Sequence, residues 1–201
     1  MPRADGQPVV GQRSFGGGVL TSTDLPKLAI RIDPRLSYIG ATDLAIKGIA
    51  RADRHHFIDA DGSRVRCLLV VQFERFLPSS DEVYRYPLAD PVSLGGTTWG
   101  SWVFAYDVER EEPEPSPETL DTVRFLGEHG LELAREQVMA RYARIVGDDA
   151  RHEVLVFYHE PLDRLGHTLA TVADEGRLRP VFASVGVELQ ARARRAFEVV
   201  P

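Results

Sequence analysis

Residues 65–76 read Val65-Arg66-Cys67-Leu68-Leu69-Val70-Val71-Gln72-Phe73-Glu74-Arg75-Phe76, and this stretch decides the fold. Side chains alternate along a strand, so Val65, Cys67, Leu69, Val71 and Phe73 face one way while Leu68, Val70 and Phe76 face the other. Apolar residues on both faces define a central strand covered on both sides. Just upstream, Asp59-Ala60-Asp61-Gly62 supplies a hairpin turn, because Asp-Gly readily accepts positive φ between paired strands.

Working outward, Leu28, Ile30 and Ile32 alternate with Ala29 and Arg31 until Asp33-Pro34 stops that strand. A second run starts near Leu36, includes Leu44, Ile46 and Ile49, and continues through Arg54-His55-His56-Phe57-Ile58. Tyr84 to Tyr86 reads as a short strand ended by Pro87, and Val92–Leu94 with Trp99–Tyr106 flank Gly95-Gly96 as a further hairpin. Asp107 to Pro117 is acidic and broken by prolines, a connection with little to bury. It ends in Ser116-Pro117-Glu118, which reads as an N-cap, a first-turn proline and an acid favoured by the helix dipole.

The helix so started stops at Gly130. A second helix is predicted over 134–146 from the spacing of Val138, Tyr142, Ile145 and Val146. His152 to Glu160 returns to strand, apolar on both faces, and is expected to insert into the first sheet. A short helix over 162–173 and a last one over 185–199 complete the chain. The order predicts an α+β fold: a mainly antiparallel sheet over about 27–106 plus the strand near 152–160, covered on one face by helices of the C-terminal half. Residues 1–23, rich in glycine, read as a flexible N-terminal arm, and 24–201 as one domain.

The chain has 201 residues, of which 43% are hydrophobic and 27% charged, and its 24 basic against 30 acidic side chains give a net charge of −6. That balance argues against nucleic-acid or anionic-membrane binding, which needs a surplus of Lys and Arg. No apolar run approaches the roughly 20 residues of a spanning helix, and the N-terminus lacks the apolar centre of an export signal. With a lone cysteine, Cys67, the expected compartment is the cytoplasm.

Motifs for cofactors and metals are missing from the sequence, and none is expected. Gly16-Gly17-Gly18 has no following Lys-Ser/Thr pair, no His-Glu-x-x-His occurs, and Asp59-Ala60-Asp61-Gly62 lacks the Glu that closes a calcium loop. Cys67, mid-strand among apolar neighbours, reads as a packing residue. Arg192, Arg194 and Arg195 read as a solvated face, or as a dock for the acidic segment of a second copy.

Two residue sets remain as site candidates. Glu74 interrupts an apolar strand; it is either exposed where the strand leaves the sheet or, if covered, paired or protonated. With His56 and His159 from other strands it makes a candidate acid–base group for a hydrolase or isomerase type of enzyme. The second set is aromatic: Tyr84, Tyr86, Trp99 and Trp102, with Arg85, suit a ligand pocket or a protein interface. Trp102, Phe104 and Tyr106 share one strand face and are expected in the core. The leading expectation is a non-enzymatic binding domain that holds a small apolar or aromatic ligand, or a protein partner, on these strands. The alternatives are the acid–base enzyme and a self-associating scaffold subunit, a homo-oligomer.

Overall fold

The computed structural model describes residues 13–88, 90–110, 115–174 and 177–200. The chain opens with β1 (Arg13–Gly16) and β2 (Val19–Ser22), a hairpin whose turn places Gly17 and Gly18 at φ of 58° and 78°. Positive φ at both central residues matches the twist of paired strands, so these glycines build structure where a loose arm was expected. Strand β2 pairs with β3 (Leu28–Ile32), and Leu20 is fully buried opposite Ile30. The remaining part of the predicted arm, residues 1–12, lies outside the described residues.

Strands β4 (Ser37–Ile46) and β5 (Ala50–Asp61) form a hairpin. The run read as continuous reverses at Lys47 and Gly48, both at positive φ. Strand β6 (Arg64–Phe76) follows across the Asp61-Gly62 turn. Strands β7 (Val92–Leu94) and β8 (Thr97–Asp107) form the Gly95-Gly96 hairpin. The segment with Tyr84 and Tyr86 makes no strand; the Tyr84 amide instead donates to the Ala150 carbonyl at 2.8 Å.

Helix α1 (Pro117–Glu128) starts as predicted: Ser116 accepts a hydrogen bond from the Thr119 amide and Pro117 takes the first turn. The predicted second helix is a strand, β9 (Glu136–Val146). Val138 and Tyr142 satisfy a period of two as well as a helical one, and Ala140 completes the inward row. Pairing on both sides, to β8 and to β10 (His152–Pro161), overrides the local preference. Next come a 3₁₀ turn (Leu162–Leu165), the one-turn α2 (Leu169–Val172), and the two-residue strands β11 (Ala173–Asp174) and β12 (Arg177–Leu178). Helix α3 runs from Pro180 to Ala196, and β13 (Phe197–Val200) then pairs with β3 where helix was expected.

The architecture is α+β. A seven-stranded antiparallel sheet has the order β4-β5-β6-β10-β9-β8-β7, and a four-stranded one the order β1-β2-β3-β13. β10 does insert beside β6. The main core lies between the small sheet, α3 and one face of the large sheet, where Leu69, Val71 and Phe73 meet Val156, Tyr142 and Leu189. The helices are not all on one face. Leu126 of α1 packs with Leu68 and Val70, on the opposite side of β6. That division shapes the functional face, because α1 covers only part of the sheet. Among the described residues, no helix is long and apolar enough to cross a membrane.

Candidate functional site

On β6, residues sharing a face with Leu68 and Val70 continue as Gln72 and Glu74. On β10 the same face carries Glu153, Leu155, Phe157 and His159. The register sets Glu153 directly opposite Glu74. Directly opposed residues of antiparallel strands have Cβ atoms only about 4.5–5.5 Å apart, so two carboxylates stand side by side. They line one end of a cavity of about 290 Å³ left beside α1. Leu155, Phe157 and Met139 form its apolar floor, with Tyr106 and His159 at the far end. From Glu153 to His159 is six residues, roughly 20 Å along the strand.

Each carboxylate accepts a hydrogen bond from a tyrosine hydroxyl: Tyr84 donates to Glu74 at 2.8 Å and Tyr86 to Glu153 at 2.8 Å. Gln72 donates its side-chain amide to the second Glu74 oxygen at 2.7 Å, and Arg54 in turn donates to Gln72 at 2.9 Å. Arg54 is 3% exposed and ties the sheet to α1 through Asp121 at 2.8 Å and Thr122 at 3.0 Å. Arg141 lies 5.3 Å from the Trp102 ring centre and 5.9 Å from that of Tyr86, and it faces the carboxylate pair.

Burial is the largest influence on the ionisation of this face. It pushes Glu153 up to about 7, the charge of Glu74 adds to the rise, and the Tyr86 hydrogen bond and Arg141 oppose it. Burial also raises Glu74, against hydrogen bonds from Tyr84 and Gln72. The pair therefore holds a proton near neutral pH, as adjacent carboxylates do when one charge disfavours the next. His159 is pushed down to about 3 by burial and by the Arg54 charge, so its imidazole is neutral. Its Nδ1 shares a 2.9 Å hydrogen bond with the Tyr106 hydroxyl.

The sequence-derived candidates separate on this frame. Glu74 and His159 line the same cavity at opposite ends, six register positions apart, and so do not converge on one atom. His56 lies outside that lining, under α1, with its ring centre 4.6 Å from that of Phe125. Burial pushes it down to about 3. The three do not form a triad. Tyr84 and Tyr86 serve the carboxylates as donors, and Trp102 flanks Arg141. Trp99 is fully buried in the main core, its indole N–H donating to Thr97 at 3.0 Å, so it is a packing residue. Arg85 is exposed and outside the cavity lining.

The trio expected in the core faces the other way. Tyr106 lines the cavity, Phe104 is 40% exposed and Trp102 is half-buried, because β8 turns its even-numbered residues from 102 to 106 away from α3. Cys67 is buried, and burial pushes its thiol up to about 12, as a packing role implies. Arg192 is held within its own chain by both oxygens of Glu160, at 2.9 and 3.1 Å. Of the acidic segment, residues 111–114 lie outside the described residues.

The sequence reading did not place Arg54, Gln72, Arg141 or Glu153 among its site residues. A usable signal was present for Glu153: like Glu74, it is a charged residue at the end of an apolar strand. Arg141 was hidden because its segment read as a helix. Comparison of the chain with protein-family models, with curated proteins and with solved structures returns no match.

Proposed function

We propose that this protein binds a small organic molecule in the cavity between α1 and the open half of the large sheet. The observation that carries this reading is the Glu74–Glu153 pair, a half-buried and a buried carboxylate placed side by side on the wall of a cavity with an apolar floor. Burying such a pair costs free energy that a hydrophobic pair would not, and a binding role accounts for keeping it. The cavity, about 290 Å³, matches the lower end of small-molecule sites. The site thus moves from the aromatic strands to the groove beside them, with Tyr84, Tyr86 and Trp102 as its supports.

The test is a fragment screen followed by NMR mapping on methyl-labelled protein. Bound fragments are expected to shift the Met139 and Leu155 methyls, and Met139→Trp, which fills the half-buried floor, is expected to abolish binding while the protein stays folded. Shifts confined to other surfaces, or binding unchanged by Met139→Trp, would overturn the reading.

A second reading is favoured by the placing of Glu153, buried beside Glu74, where burial and the neighbouring charge disfavour its ionised form. A carboxyl that keeps its proton to near neutrality next to another carboxylate is equipped for general acid–base catalysis. Conversion of a bound fragment by the wild type, lost in Glu153→Gln, distinguishes catalysis from binding alone.

A further inference from the structure

We infer that the ligand of this cavity is an amphipathic cation, an ammonium or amidinium on an apolar body, whose charged group sits between Glu74 and Glu153. The inference rests on the binding reading above and adds the chemistry of recognition.

Charge bookkeeping over the facing elements supports it. From β5, Arg54 is committed to Asp121 of α1 at 2.8 Å, a pair that contributes no net charge. From β10, His159 is a neutral imidazole. From β8 and from the segment before β7, the facing titratable groups are tyrosines, Tyr106, Tyr84 and Tyr86; burial raises the latter two, keeping them neutral donors. Among the described residues, Arg141 of β9 is then the cation left to face three carboxylates, those of Glu74, Glu153 and Glu118. With every carboxylate ionised the cavity wall carries an excess of two negative charges; one proton on the pair reduces it to one. A bound cation takes the place of that proton and leaves the same single excess charge on the wall, without a carboxyl having to be protonated.

The rest of the wall suits the rest of such a molecule. Leu155 follows Glu153 on the same strand face, with Phe157 beyond it and Met139 farther on, opposite His159. An apolar body attached to a cation at the carboxylate end lies along this floor, and the Phe157 and Tyr106 rings accept its positive edge favourably. An anion at the same end would face the carboxylates across a low-dielectric wall.

Three probes of one skeleton test this: benzylamine, benzyl alcohol and benzoate, titrated into the full chain by calorimetry and followed by methyl NMR. Benzylamine is expected to bind at pH 8 at least tenfold tighter than the other two, and about tenfold more weakly at pH 6, where the proton competes for the pair. The probe stays a cation across that range, so the change reports the protein. Binding near pH 6 is expected to release about one proton, measured as a dependence of the heat on the buffer's ionisation enthalpy. In Glu153→Gln, a near-isosteric change, both the pH dependence and the proton release are expected to disappear. If benzyl alcohol binds the floor as tightly as benzylamine, the cation inference is overturned and the binding reading stands. If no probe moves the Leu155 methyls, the binding reading falls with it.

Discussion

Arg54→Met is expected to destabilise the protein by about 3–5 kcal/mol in urea unfolding, the range for removing one partner of a buried ion pair. Arg54 and Asp121 side chains are 4% and 3% exposed. Without the guanidinium, Asp121 keeps only Thr42 at 2.6 Å and the largely exposed Arg124 at 2.7 Å. Burial by itself raises the Asp121 carboxyl, and the hydrogen bonds from Thr42, Arg124 and Arg54 outweigh it and hold the group below the ordinary range. Gln72, Thr122 and the Glu118 carbonyl also lose a donor. A buried acceptor left unmatched costs about 1–3 kcal/mol, so several of them explain the size of the effect. The double variant Arg54→Met, Asp121→Leu is expected to recover most of the loss, because no charge is left buried. A loss below about 1 kcal/mol for the single variant would show that α1 is not held to the sheet through this pair.

The second large effect separates the two tryptophans of the aromatic candidate set. Trp99→Ala is expected to cost about 3–5 kcal/mol, the range for deleting a large aromatic from a packed core. Its side chain is fully buried with Tyr142 and Leu189 in the main core. Trp102→Ala is expected to cost about 1–2 kcal/mol, since a half-buried ring loses a cation–π contact with Arg141 and an edge-on contact with Tyr86 but opens no core cavity. Denaturant midpoints of the two variants check this directly. Equal losses would contradict the assignment of these residues to opposite faces of β8.

The difference between those residues shows which parts of the molecule a single sequence exposes. Strand alternation in Val65–Phe76 identified a central strand because it depends on neighbours along one chain segment. The Ser116-Pro117 helix start was legible for the same reason, since capping is local. β9 was not, because Val138, Tyr142 and Val146 fit either period, and only pairing with β8 and β10 decides between them. Trp99 and Trp102 differ by three positions, so parity put them on opposite faces; which face meets the core depends on where α3 lies. Glu74 stood out as a charge in an apolar strand. Its meaning came from Glu153, 79 residues away in sequence and directly opposite in register. That relation required the strand order. Arg54 shows the limit most clearly: nothing around it in sequence reveals that it faces Asp121.

The most direct test of the account is the ionisation of Glu153 followed by carboxyl ¹³C NMR across pH 3 to 9 on the full chain. A midpoint near 7 is predicted, falling in Glu74→Gln because the neighbouring charge is gone, and falling further in wild type saturated with benzylamine. Each shift reports that the two carboxylates share one wall of the cavity. A midpoint near the ordinary 4.5, indifferent to Glu74→Gln, would contradict it: the carboxylates would then be solvated and independent, and the groove would lack the charge on which its proposed binding depends.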